Sequence, residues 1–579
     1  MATPHQQDRI PASQSIYHPV PHHVLPTSPV SMGDIHDHNS RVASLPLNLM
    51  VLIISYLDDV GDIARVTRTS RLLYYMTLPQ LYEKVSLRSY AEIRYVNGRP
   101  EGYGSGSPFS MGLNSLVTKN MASFVRNLRI WGEWKETDLD ELSQGRVPDT
   151  TMMLNIVVRA AVDKMVKLES FSWELSAKLL KTVYQGLALR TSLTSLAIKF
   201  PSSRAPRPTV VIPPMPNLRY FRAEGMDPLC YPDDISVLLV GSKKLEDLRL
   251  HWSPRMRNEA EPSLSLLTYF GKCFAAQYQI PLKHIALQNF YGPNNSEFDR
   301  VYDSKKLESV TLINSLGGAN GNPLTVYFDD TWDMTYLDLS LSVKMMRSDA
   351  VGRPHIDLIS RLSGLEELYV VDPKNNLWSQ SMSGTPKQSP GYETHLLGKD
   401  YIHVITSKQG STMRHLLLSN QWSLSAEDLS LLVRSCPNLS QLGLAVEKNS
   451  PQFLRLLVPF LPKLFALRLL NPTNTCSANT DTNLVDADDE AHIRGIGRNS
   501  WQVGYESLKW IGVGERVFEL GDVYQTEGER GDMESRRQVR RVPLSAVKHV
   551  EIWKLDAMEI RSGPCTDWKI MPLKVIPAA

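Results

Sequence analysis

The chain has little cysteine: Cys230, Cys273, Cys436, Cys476 and Cys565 are odd in number, far apart, and never form a C-x-x-C pair. Neither a disulfide framework nor a zinc site is suggested, and buried or incidental thiols in a reducing compartment are the plain reading. Excess charge is also lacking. Lys+Arg at 63 nearly cancels Asp+Glu at 61, so the formal net charge is +2 and nothing global steers the protein to nucleic acid. No apolar run reaches about 18 residues, and no N-terminal stretch resembles a signal peptide. A soluble protein of the cytoplasm or nucleus, with no membrane partner, is expected. G-x-S-x-G, H-E-x-x-H and Walker A sequences are absent, so no common catalytic arrangement is supported, and no catalytic residue, metal or cofactor is expected. Gly102-Tyr-Gly-Ser-Gly106 follows no clear strand and reads as linker. Asp486-Ala-Asp-Asp-Glu490 lacks the glycine and spacing of a calcium loop and reads as a solvated acidic insertion.

What is present is ordinary for a folded protein, with 42% hydrophobic and 21% charged residues. At 579 residues there is room for several domains or one extended repeat array. Residues 1–43 are rich in Pro, His, Ser and Gln, and hold six of the fourteen histidines. Such a segment buries too little apolar area to offset its ordering entropy and is expected to be a disordered tail.

Ser44-Leu-Pro-Leu-Asn-Leu-Met-Val-Leu-Ile-Ile-Ser-Tyr-Leu57 predicts a helix, with Ser44 as cap and Pro46 in the first turn. Leu45, Leu49, Leu52, Ile53, Tyr56 and Leu57 share one face, while Leu47, Met50, Val51 and Ile54 cover much of the rest. A helix apolar nearly all round is buried on more than one side. A second helix is expected over Asp62–Tyr75, with Asp62 as cap, then a turn at Leu78-Pro79-Gln80-Leu81-Tyr82 leading into Val85-Ser-Leu87. A module of about 40 residues seldom stabilises itself. Either the body of this protein, with the helix as a buried N-terminal cap, or a second chain must cover it.

The pattern Leu45-Pro46, Leu49-Met50, Ile53, Tyr56-Leu57, Val66, Ser70-Arg71-Leu72 and Leu81-Tyr82 resembles an F-box, over residues 44–88. Asn48 stands where that family usually has an acidic residue. The resemblance implies docking on the small Skp-family adaptor of cullin-based, SCF-type ubiquitin ligases, through Leu45, Pro46, Leu49, Ile53 and Leu57.

From residue 125 onward the pattern apolar-x-x-apolar-x-apolar keeps returning, from Val125-Leu128-Ile130 through fourteen copies to Val547-Val550-Ile552. Seven of the thirteen start-to-start spacings lie between 25 and 27 residues, which is the period of leucine-rich repeats. Helical segments such as Ser425–Cys436, opened by a Ser-x-x-Asp cap, fall between the strands. The fold class expected is α/β: a small all-α N-terminal F-box module (44–88), a linker (89–124), then a degenerate leucine-rich-repeat-like solenoid or horseshoe (125–579). Spacings widen at 374–412, 471–507 and 514–546, which read as surface insertions or disordered loops. Arg536-Arg537 and Arg540-Arg541 read as an exposed charged loop, a nuclear import signal or a contact for an acidic ligand.

In such an array the strand positions between the apolar ones form the concave, exposed surface. They include Tyr220, Arg222, Arg249, His251, His284, Tyr336 and Tyr369, and further on His415, Trp510 and Trp553. The basic and aromatic character of the first of these points to an acidic or phosphorylated protein partner. The function expected is therefore a non-catalytic substrate receptor of an SCF-type ligase, with Skp adaptor, cullin scaffold and protein target as partners. A scaffold or sensor acting without ubiquitin transfer is the alternative.

Overall fold

The structure is a computed structural model and describes residues 45–90, 94–96, 99–101, 107–134, 147–201, 210–226, 232–252, 266–288, 298–313, 343–349, 351–371, 390–446, 457–471, 489–502, 504–527, 532–556 and 560. The tail 1–43, Ser44, the glycine run 102–106, Tyr336 and three of the cysteines (Cys230, Cys476, Cys565) lie outside these residues. The chain divides into two compact units, with the division between Leu81 and Tyr82.

The first unit holds three helices: α1 (Leu47–Ser55), α2 (Val60–Val66) and α3 (Arg71–Leu81). The cap of α2 is Asp59, not Asp62: the Asp59 side chain accepts a hydrogen bond from the Asp62 amide at 3.0 Å, and Asp62 sits in the first turn. The helix α3 runs through Pro79, where a turn is expected from the sequence. Its end is tied back by Gln80 Nε2, which donates to the Leu57 carbonyl at 2.7 Å. Met50, Ile54, Ile63 and Leu78 are buried. The rest of the apolar surface of α1 is not.

The second unit is a mixed α/β structure built on one long, open, mostly parallel sheet, compatible with an α/β solenoid. Its strands are β1 (Lys84–Ser89), β4 (Asn127–Gly132), β5 (Ser170–Glu174), β6 (Ser195–Lys199), β7 (Tyr220–Met226), β8 (Asp247–Trp252) and β9 (His284–Gln288). Next come β10 (Ser309–Ile313), β11 (Met345–Ser348), β12 (Glu367–Val370), β13 (His415–Leu417), β14 (Ser423–Leu424), β15 (Gln441–Val446), β16 (Ala466–Leu469), β17 (Trp510–Val513), β18 (Arg516–Glu527) and β19 (Met533–Val542). The pair β2 (Arg94–Val96) and β3 (Arg99–Glu101) stands apart as a hairpin. Pairing keeps to chain order and is parallel from β1 to β17. It turns antiparallel at β18 and β19.

The repeat positions explain this ladder. In each parallel register the apolar residues stand beside one another, as in Leu128 with Phe171, Leu196 and Phe221. These side chains are fully buried against the connecting helices in one continuous core. Each unit therefore hides its apolar face only against its neighbours. The expected cap of helix Ala426–Ser435 is present, with the Ser425 hydroxyl accepting from the Asp428 amide at 3.2 Å.

Five segments add to or depart from the sequence-based expectation. The copy at Met334 lies outside the described residues, and the strand beside β10 is Met345–Ser348. The widened spacings contain regular structure: helices at Pro390–Val404 and Asp489–Asn499, and the β18–β19 hairpin. The hairpin is dense in charge because its cations meet carboxylates across the strands, as Arg540 meets Glu519 at 2.6 Å. Val547–Ile552 is not a strand. It forms a short 3-10 turn (Leu544–Val547) and a helical turn (Glu551–Lys554).

One core pair carries a pH signature. His355, on the helix Arg353–Arg361, is fully buried, and its Nδ1 lies 2.6 Å from the Tyr401 hydroxyl. Burial pushes the imidazole down to about 4. A folded-state value below the unfolded one near 6.5 means that stability is complete above pH 6.5 and is lost as pH falls toward 4. Denaturation at pH 7 and pH 4 is expected to show a loss of about 3 kcal/mol in the wild type that His355→Gln lacks.

Candidate functional site

Two surfaces hold the residues that the sequence singles out. The first is α1. Leu45, Pro46, Leu49 and Ile53 are exposed and Leu57 is half-buried. Leu47, Val51, Leu52 and Tyr56 are exposed as well, Tyr56 at 76% and Ile53 at 57%. Only Met50 and Ile54 of this helix are buried. Seven large apolar side chains open to solvent on about three turns of chain are more than an isolated soluble protein ordinarily shows in one place.

The second is the sheet face opposite the connecting helices. Register places Arg129, Arg222, Arg249, Arg347 and Arg468 in one row along this face, with Arg222 directly beside Arg249 and uncharged residues between the others. Carboxylates are interleaved. Glu174 accepts from Arg129 at 2.6 Å and from Arg222 at 3.1 Å, and Arg222 reaches Glu224 at 3.0 Å. Asp247 takes two hydrogen bonds from Arg249, at 3.0 and 2.9 Å, and Arg249 lies over the Tyr220 ring. Arg347 is fully buried, and desolvation, with repulsion from Arg249 as the lesser cause, lowers it to about 10.

The alternation of the strands thus places Tyr220, Arg222, Arg249 and Tyr369 on the expected face, but not in the expected setting. All four are buried. The sequence reading of exposure is corrected for them, and for Trp510 and Trp553, because counter-charges and the chain's own C-terminal end cover that face. His251 and His284 are half-buried. His251 Nδ1 accepts from the Gly225 amide at 3.2 Å, and burial lowers the His284 pKa, with Asp247 pulling the other way. His415, also half-buried, lies 2.8 Å from the Tyr369 hydroxyl. With Tyr369 it holds Glu367 below the usual carboxylate range, although burial alone would raise it.

The covering residues are 544–556 and Ile560. Val547, Val550, Ile552, Trp553 and Leu555 form one cluster with Met345, Tyr369, Leu417, Ala466, Trp510 and Val517. Ile560 packs on Ala286 and Ile313. Polar contacts fix the path: Gln441 Oε1 accepts from the Ile552 amide, Arg468 donates to the Ile552 carbonyl, and Arg468 pairs with Asp556 at 2.6 Å. Farther along, Arg249 donates to the Ile560 carbonyl at 3.0 Å. Gly512 makes room for this segment, since a Cβ there would stand 2.7 Å from the Trp553 ring. Together these described residues touch the sheet from β17 back to β8.

Toward the first strands the same face is more open. The exposed Arg88 guanidinium lies 4.6 Å from the Tyr90 ring centre and 4.5 Å from that of Trp131. Trp131 Nε1 donates to the Ser86 hydroxyl at 2.9 Å. The repeat pattern does not mark this group, because β1 precedes the first full repeat.

The buried ion pairs make a stability prediction. Arg222→Gln leaves Glu174 and Glu224 undercompensated in a desolvated setting, with an expected cost of about 3–5 kcal/mol in chemical denaturation. Arg126→Gln, which breaks the exposed pair with Glu169, is expected to cost less than about 1 kcal/mol.

Among the described residues no group of three or more His, Cys, Asp or Glu side chains is placed to hold a metal ion, and no helix is long and apolar enough to cross a membrane. No family model matches the chain, and no curated protein matches it. Among solved structures, the chain is similar to one in the "Crystal structure of Rad7 and Elc1 complex in yeast", at 11% identity and a TM-score of 0.30, covering 58% of this chain and 79% of that one. A likeness this loose assigns no function.

Proposed function

We propose that this protein is a substrate receptor of a cullin-based ubiquitin ligase, docking through α1 onto a Skp-family adaptor and holding a target protein on its repeat sheet. The observation that carries the reading is the exposed apolar surface of α1. At roughly 25 cal/mol per Å² of apolar area removed from water, such a surface favours coverage by another polypeptide. The F-box-like order of Leu45-Pro46, Leu49, Ile53 and Leu57 supports a Skp-family adaptor as that polypeptide.

The receptor adds no chemistry. Tethering a target beside the conjugating enzyme raises its effective concentration, and that is the whole contribution. The target site is drawn on the part of the sheet face that the C-terminal segment leaves accessible: Ser86, Arg88 and Trp131, with His251 and His284 at half exposure. An exposed Arg beside two aromatic rings suits a carboxylate or phosphate on the partner. Its place of action is the cytoplasm or nucleus.

Co-purification tests the assignment. Recovery of both adaptor and cullin with the full chain supports it, whereas target capture with neither returns the protein to a scaffold acting without ubiquitin transfer. Arg88→Glu is expected to reduce target capture at least tenfold while adaptor binding stays unchanged, measured side by side in one pull-down.

A further inference from the structure

The four arginines of the hairpin divide into two pairs with different surroundings. Arg540 pairs with Glu519 and Arg541 with Asp489, which also faces Arg516 at 3.5 Å. The charge of this pair is matched. Arg536 and Arg537 instead line a cleft of about 500 Å³ between the hairpin and the helix Asp489–Asn499. Arg494 of that helix joins them, and Asp522 is the one acidic residue among the described lining residues.

The guanidinium of Arg537 is held by backbone rather than by a carboxylate. Its Nε donates to the Gly521 carbonyl at 2.8 Å and its Nη1 to the Tyr505 carbonyl at 2.5 Å. Gly521 and Asp522 stand at the irregularity between Leu520 and Val523, which turns that carbonyl toward Arg537. Partial burial lowers the Arg537 pKa, with Asp522 opposing. Arg536 gives Nη2 to Glu534 at 3.0 Å, while its Nε is buried with no hydrogen-bond partner among the described residues. Arg494 meets the exposed Glu490 at a distant 3.9 Å. Gly497 lets the helix approach, since a Cβ there would stand 2.9 Å from the Arg537 carbonyl oxygen. Ile493 and Val539 supply an apolar wall, and the half-exposed Tyr524 lies at the cleft.

We propose that this cleft binds a phosphate monoester, with the dianion held by Arg494, Arg536 and Arg537 and the organic body lying against Ile493, Val539 and Tyr524. Three arginines line this one cleft, and the planar donor fork of Arg suits a tetrahedral oxyanion. A phosphate monoester carries about −1.5 to −2 charge at neutral pH, and of the described carboxylates near the three arginines only Asp522 lines the cleft itself, Glu534 and Glu490 meeting Arg536 and Arg494 outside it. The cleft volume falls within the range of small-ligand sites and exceeds what the phosphate group alone would fill. Such a group comes either from a phosphorylated side chain of a protein or from a free phosphorylated small molecule. The site is independent of the adaptor reading and survives its failure.

The test is calorimetric titration of the full chain with inorganic phosphate, with glucose 6-phosphate, and with a phosphoserine peptide beside its unphosphorylated twin. Saturable binding of the phosphorylated probes is expected, weakened at least tenfold by Arg494→Gln and by Arg537→Gln and unaltered by Arg540→Gln. A tighter peptide assigns the protein source, and a tighter sugar phosphate the small-molecule source. Arg494 is largely exposed, so its replacement leaves the fold intact. Equal affinity of Arg494→Gln and wild type, or no saturable heat with any phosphorylated probe, overturns the proposal.

Discussion

Leu49→Asp is expected to weaken capture of a Skp-family adaptor by at least about a hundredfold, equivalent to about 2.7 kcal/mol, with thermal unfolding unchanged. Leu49 is 43% exposed, so in the free chain the aspartate meets water and costs almost nothing. In a docked complex the same carboxylate would be desolvated without a partner. Met50→Asp, one residue on, is expected to do the reverse. Met50 is buried, so the charge is expected to unfold the helix, and binding fails for lack of a folded docking surface. Circular dichroism beside a pull-down separates the two. Full adaptor binding by Leu49→Asp would remove α1 from the interface.

Ending the chain after Pro543 is expected to have the second large effect. Val547, Val550, Ile552, Trp553 and Leu555 then leave a cluster in which each is buried, and Met345, Tyr369, Leu417 and Trp510 come into water together. The shortened protein is expected to self-associate, to bind hydrophobic dyes, and to unfold at lower denaturant than the full chain. Trp553→Ala alone is expected to cost about 3–5 kcal/mol. Adding a peptide of residues 544–579 in trans should restore the monomer. A shortened chain that stays monomeric with an unaltered unfolding midpoint would show that this segment covers nothing of consequence.

Much of the fold was legible. The triplets Leu168-Phe171-Trp173, Leu193-Leu196-Ile198 and their successors locate strands because a parallel strand packed under helices must bury these positions at a fixed period. The triplet Val547-Val550-Ile552 shows where that reasoning stops. Its three residues are buried, as the pattern requires, but spacings of three and two also suit a helical turn, and these side chains pack on the opposite face of the sheet. The strand at Met345–Ser348 escaped for the converse reason: Ser348 stands where the third apolar residue should be.

The candidate site was legible in placement and not in environment. Alternation set Arg222 and Arg249 on the right face, while their burial depended on Glu174, Glu224 and Asp247, whose proximity comes only from the register between strands. A charged residue on a strand reads as exposed until its counter-charge on the neighbouring strand is counted. The hairpin β18–β19 was hidden in the same way, since Arg540 and Arg541 look like a solvated run without Glu519 and Asp489 beside them.

The most direct test mixes the purified full chain with a purified Skp-family adaptor and tracks amide hydrogen exchange across residues 47–55. A one-to-one complex is expected, in which those amides, and the side chains at Leu49 and Ile53, become newly shielded. A chain that stays single in the mixture, with that stretch exchanging as it does alone, would contradict it.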